Sequence, residues 1–131
     1  MKEELFIDTW GWLVIHNKRE PQHTEVNKFY RKFRAHGGTI YTTDYVLDET
    51  LTLLFRRLSF SVAGEAMSIL DNAIKQGYLK LEWVSPQRFE KAKELRLRFQ
   101  DKPEISFTDL TSILTDDDHF THVGMDFSKA P

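Results

Sequence analysis

The feature that most restricts this chain is an alternation of short apolar or β-branched runs with longer stretches of helical period. Leu5-Phe6-Ile7, Thr39 to Thr42 and Leu79 to Trp83 have strand character, and each is followed by a helix-like segment. The first run carries no polar residue, as expected of a strand buried on both faces of a parallel sheet. The third alternates, with Leu79, Leu81 and Trp83 on one side and Tyr78, Lys80 and Glu82 on the other, which predicts a half-exposed or edge strand. The expected fold class is a three-layer α/β domain with a mainly parallel central sheet flanked by helices.

The intervening segments fill in the helices. Positions 10–17 predict a short helix, and Asn17-Lys18-Arg19-Glu20-Pro21 a loop, since proline discourages helix before it. Val26, Phe29, Tyr30 and Phe33 then fall on one face of a helix that Gly37-Gly38 stops. Thr43 or Asp44 caps a third helix with the stripe Leu47, Leu51, Leu54 and Leu58. The fourth starts near Ser61, turns Val62, Ala66, Ile69 and Ala73 inward, and ends at Gly77. A fifth covers 86–99 with Phe89, Ala92 and Phe99 inward, and Gln100-Asp101-Lys102-Pro103 ends it. No repeat or Gly/Ser linker divides the chain, so residues 1–131 read as one domain.

Composition narrows the chemistry. With 131 residues and 40% hydrophobic content the chain can bury a core of its own. No apolar run of about 18 residues and no charged-then-apolar leader occurs, so neither membrane spanning nor secretion is expected. The absence of cysteine excludes disulfides, thiol catalysis and cysteine-ligated metals, and fits the cytoplasm as the expected compartment. The five histidines offer no zinc-like set, which leaves oxygen ligands for any metal. A net charge of −2 gives no global attraction to a polyanion. Binding one needs a local patch, with candidates at Lys18-Arg19, Arg31 to Arg34, Arg56-Arg57 and Arg88 to Arg98; each reads equally as a solvated helix face. Trp10, Trp12, Leu51, Leu54 and Phe55 form either an exposed groove for a partner or simply core.

Four acids stand where an α/β sheet gathers its ligands, beyond strand ends or at helix starts. Asp8 follows the first apolar run directly. Glu49 lies at the margin of the third helix's buried stripe, flanked by Val46 and Leu53. Asp109 follows Ser106-Phe107-Thr108, and Asp116-Asp117-Asp118 follows the run Ile113-Leu114-Thr115. Each acid also has a plain structural reading as a helix cap or first-turn acid. Gathered together, carboxylates repel by about 4 kcal/mol per pair at ~4 Å and an effective dielectric of 20, which protonation or a bound cation must offset. An oxygen-only site suits Mg²⁺ or Mn²⁺, and the chemistry implied is metal-dependent phosphodiester hydrolysis.

Leu5-Phe6-Ile7-Asp8-Thr9-Trp10-Gly11-Trp12-Leu13, Asn17 to His23, Asp48-Glu49-Thr50-Leu51-Thr52-Leu53-Leu54 and Ser106-Phe107-Thr108-Asp109 resemble the signature stretches of PIN-domain proteins. The resemblance covers almost the whole chain in order, and is nearest to the toxin component of VapBC-type toxin–antitoxin modules. It implies a metal-dependent endoribonuclease with Asp8, Glu49 and Asp109 as the principal metal-site and catalytic acids. Asp117 is implied as the fourth acid, with Asp116 as the fallback. It further implies supporting hydroxyls at Thr9 and at Ser106 or Thr108, one or two Mg²⁺ or Mn²⁺ ions, an RNA substrate, a cognate antitoxin and a homodimer. One departure stands out. Only Leu110-Thr111-Ser112 separates Asp109 from Ile113, where the family has a helix, so about a dozen residues of the pattern are missing. That gap keeps open a rival reading, a non-catalytic PIN-like RNA-binding or interaction module.

Overall fold

The computed structural model describes residues 3–101 and the backbone of Thr121–His122. Nine elements follow in order among them: β1 (Glu4–Phe6), α1 (Thr9–His16), α2 (His23–Ala35), β2 (Thr39–Thr43), α3 (Asp44–Arg57), α4 (Phe60–Gln76), β3 (Leu79–Glu82), α5 (Pro86–Arg98) and β4 (Thr121–His122). The strands form one parallel sheet in the order β3-β2-β1-β4. Leu5 pairs with Ile40, Ile40 with Leu79, and Leu5 with Thr121 on the other side. The alternation of strands and helices therefore yields the expected α/β fold with a parallel sheet. The β4 segment was not expected from the sequence, and the expected strand at Ile113-Leu114-Thr115 lies outside the described residues.

The central strands explain their own composition. Leu5, Phe6 and Ile7 are buried, as a strand with neighbours on both sides and helices over its faces requires. β3 sits at the sheet edge, with Leu79 buried and Lys80 exposed. The strand stops at Glu82, so Trp83 does not continue its buried side and is 70% exposed.

Helix limits follow local chemistry. Thr43, not Asp44, caps α3, its hydroxyl accepting from the Val46 amide. Ser59, two residues before the expected start, caps α4 through the Val62 amide, and Gly77 ends that helix with φ +88°. At the close of α2, Gly38 passes so near Phe33 that an added Cβ would lie 2.2 Å from its ring. The inward face of α4 is also rotated from the expected one: Ala63, Ala66, Leu70 and Ala73 are buried, whereas Val62 and Ile69 are about half exposed. Apolar residues occupy more than half of this helix, and the small alanines allow the closer approach.

α1 differs from the other helices in being buried almost all round, through Thr9, Gly11, Trp12, Leu13, Val14 and Ile15. Trp12, Val14 and Ile15 join the main core with Phe6, Val26, Phe33, Ile40 and Val46, while Leu13 packs with Leu54, Ala63 and Ala66. Of the five residues read as an optional groove, Trp12 and Leu54 are thus core, and Trp10, Leu51 and Phe55 are half-buried against it. Exposed large apolar side chains concentrate instead on α4, at Phe60, Val62, Met67 and Ile69, with Phe29, Trp83 and Leu97 exposed singly elsewhere.

Candidate functional site

Asp8 sits beyond the carboxyl end of β1. The Ile7 amide still bonds the Tyr41 carbonyl at 3.1 Å, so the chain stays beside β2 up to the residue before the acid. There it turns, and Asp8 becomes the N-cap of α1, Oδ1 accepting from the Gly11 amide at 3.2 Å. The cap reading is therefore met, at the position beyond the strand end from which the site reading also starts, and the carboxylate is almost wholly buried. A side-chain relay fixes this corner: the Trp12 indole donates to Thr42 Oγ1 at 3.2 Å, and that hydroxyl donates to the Ile7 carbonyl at 3.2 Å. All three groups are buried, so each link replaces a hydrogen bond to water that folding removes.

The next residue reaches the second acid. Thr9 Oγ1 donates to Glu49 Oε1 at 2.6 Å across forty positions of sequence. Glu49 stands on the second turn of α3, half-buried, on the helix margin that Val46 and Leu53 predict. The Thr9 hydroxyl, for which the resemblance implies a supporting role, is thus hydrogen-bonded to Glu49. Its bond orients one oxygen of Glu49 and leaves Oε2 without a hydrogen bond from any described residue. The packing of α1 on α3 makes this meeting systematic. Thr9 meets Glu49, Leu13 shares a cluster with Leu54, and His16 and Asn17 share a cleft with Arg57 and Leu58. The two helices run side by side in the same direction, with Asp8 capping one and Glu49 in the second turn of the other.

Asp109, Asp117, Asp116, Ser106 and Thr108 lie outside the described residues. Among the described residues no group of three or more His, Asp or Glu side chains is arranged to hold a metal ion. Of the expected site residues, the described ones are Asp8, Thr9 and Glu49, with Thr9 bonded to Glu49 and adjacent to Asp8 in the chain.

The scattered basic runs are partly gathered by the fold. Lys18, Arg19, Arg31, Arg34 and Arg57 line a cleft of about 740 Å³ at the C-terminal ends of α1 and α3, beside the exposed Val62 and Ile69 of α4. None of the five pairs with a described carboxylate. Arg34 lies instead over the Tyr78 ring, 4.0 Å from its centroid, and 5.6 Å from that of Tyr30. Burial raises the Tyr30 hydroxyl above its ordinary pKa, against the opposing pull of Arg34. His16 in the same cleft is held down to about 4, first by burial and second by His23, and its ring stacks on Trp12. Sequence reasoning missed this cleft because its members are spread over four elements, with no spacing that joins them.

Comparison with known proteins bears on the same architecture. No family model matches the chain. The 23S rRNA-specific endonuclease VapC20 of Mycobacterium tuberculosis is 30% identical over 108 residues, covering 82% of this chain and 76% of that protein, in strains CDC 1551 / Oshkosh and ATCC 25618 / H37Rv alike. The crystal structure of Mycobacterium tuberculosis VapC20, described as a sarcin-ricin loop cleaving toxin, matches with a TM-score of 0.68 at 28% identity. That match covers 83% of this chain and 78% of the other. Likeness in sequence and in fold extends over most of both proteins, and so the chain belongs to the VapC family of PIN-domain toxins.

Proposed function

We propose that this chain is a Mg²⁺- or Mn²⁺-dependent endoribonuclease that hydrolyses RNA phosphodiester bonds as the toxin of a toxin–antitoxin pair. The observation that carries the proposal is the Thr9–Glu49 hydrogen bond, which brings a second acid to the corner occupied by Asp8 at the carboxyl edge of the sheet. The donors there fit such an ion. They are oxygens only, and one Glu49 oxygen is oriented by Thr9 while the other has no described hydrogen-bond donor. In this reading Asp8 and Glu49 hold the ion, with Asp109 and Asp117 completing the set and orienting the attacking water. When bound, the ion polarises the phosphoryl group and lowers the pKa of water. Thr9 keeps the Glu49 carboxylate from rotating away, and the Trp12–Thr42–Ile7 relay holds Asp8 at the strand mouth.

VapC20 carries the name of a 23S rRNA-specific endonuclease and sarcin-ricin loop cleaving toxin, so that loop is the first RNA to test. The partner reading has a physical basis in the cleft between α2 and α4, where cations with no carboxylate partner among the described residues share the lining with Val62 and Ile69. An amphipathic antitoxin segment with acids on one face complements both halves. A homodimer and a cytoplasmic location belong to the same proposal; among the described residues no helix is long and apolar enough to cross a membrane. The test is cleavage of a sarcin-ricin hairpin by purified chain with Mg²⁺ or Mn²⁺, with EDTA, and by Asp8→Asn. Loss in both of the last two is expected. An Asp8→Asn protein as active as the parent overturns the metal-site assignment, and a parent chain that cleaves with neither ion favours the non-catalytic reading.

A further inference from the structure

An open groove of about 750 Å³ runs along the outer face of α3 and contains Glu49. Tyr45, Glu49, Thr52 and Arg56 line it at i, i+4, i+7 and i+11, one continuous helix face. The groove is electrically divided. Its acids, Asp44, Asp48 and Glu49, occupy the N-terminal half of the helix, and Arg56 is its one cation among the described residues, two turns beyond Glu49. Asp44 accepts from the Val84 amide at 2.8 Å and is thereby tied to the segment after β3. Arg56 is exposed and makes no ion pair with a described carboxylate. Its neighbour Arg57 faces the separate cleft on the other side of the helix.

We propose that Arg56 is a substrate-positioning residue, which holds a backbone phosphate of the RNA strand a few nucleotides from the bond cleaved beside Glu49. This rests on the endoribonuclease reading and extends it to a residue away from the acids. Seven helical residues advance about 10 Å, on the order of three stacked nucleotides at ~3.4 Å each. A strand whose scissile phosphate lies at the acidic end therefore carries a second phosphate to Arg56 along the same groove. The guanidinium suits that role through its planar fork of donors, and the contact is independent of base sequence. Two turns of α3 fix the spacing between chemistry and anchor. A cation in the last helical turn also offsets the helix dipole, and that role alone affects stability without making RNA binding salt-dependent.

The test uses the full chain in an Asp8→Asn background, so that binding is read without cleavage. Arg56→Ala, Arg56→Lys and, as a control on a remote exposed cation, Lys75→Ala are titrated with a fluorescent single-stranded RNA 12-mer from 50 to 200 mM salt. Arg56→Ala is expected to weaken binding about tenfold and to flatten the slope of log K against log salt by about 0.7, one single-strand phosphate contact. Arg56→Lys restores the slope but not the full affinity. With the active chain, Arg56→Ala raises KM more than it lowers kcat. An unchanged slope in Arg56→Ala, or an equal loss in Lys75→Ala, overturns the proposal. Cleavage by the parent chain tests the nuclease reading separately, so either can fail alone.

Discussion

Thr9 and Glu49, forty residues apart, are joined by a hydrogen bond of 2.6 Å, which ties the start of α1 to the second turn of α3 beside Asp8. Removing only the hydroxyl isolates its contribution. Thr9→Val is expected to lower RNA cleavage and metal affinity by about 10- to 100-fold, the range for groups that orient a metal-site carboxylate. Thr9→Ser retains most of both. Cleavage rates at several Mn²⁺ concentrations, with circular dichroism to verify folding, give the comparison. Equal activity in the valine variant shows that Glu49 needs no such support.

The relay beneath the site predicts a stability effect. In Thr42→Val the Trp12 indole loses its buried acceptor and the Ile7 carbonyl its buried donor. The expected cost is about 1–3 kcal/mol, since a buried donor left unpaired loses its solvation without return. Urea denaturation followed by tryptophan fluorescence reads it. A shift below half a kilocalorie per mole means that water replaces the hydroxyl.

His16 predicts how stability responds to acid. Its folded pKa of about 4 lies below the ordinary imidazole value of 6.5, so between the two the unfolded chain binds a proton that the folded chain refuses. Unfolding free energy therefore falls as pH drops from 6.5 towards 4 and levels off below; nothing is contributed above 6.5. The size is on the order of 3 kcal/mol at most. In His16→Gln the difference in stability between pH 7 and pH 4.5 is expected to shrink accordingly. Parallel pH profiles for the two proteins refute the assignment.

Gly38 offers a packing test at the α2–β2 junction. A Cβ there meets the edge of the Phe33 ring at 2.2 Å, and Phe33 is itself core. Gly38→Ala is expected to destabilise by about 1–3 kcal/mol through forced repacking. In a Phe33→Leu background the same change costs less. Additive effects in the double variant mean that the clash is relieved elsewhere.

Much of this was legible from residue order. The apolar run before Asp8, the α2 face with Val26 and Phe33, and the threonine cap of α3 are local signals, and local chemistry decides them. That Asp8 and Glu49 share a corner is an expectation from sheet topology and family likeness; the α1–α3 register joins Glu49 to Thr9, the residue after Asp8. Two kinds of feature were not legible. The inward face of α4 depends on which of its two apolar sides the neighbouring elements can approach, and it is the side of Ala63 and Ala66, against Leu54 of α3, and of Ala73 in the main core. The basic cleft depends on the three-dimensional meeting of Lys18, Arg31 and Arg57. Neither has a period to read.

The all-round burial of α1 has a practical meaning for genetics. From Gly11 to Ile15 every side of the helix is enclosed, so replacements there disarm the toxin by spoiling its fold. A screen for harmless survivors will collect many such chains and learn nothing about catalysis from them. Asp8, one residue before the helix, is the position where Asn keeps the cap acceptor and changes only the charge. Survivors that remain abundant and folded will mark the chemistry.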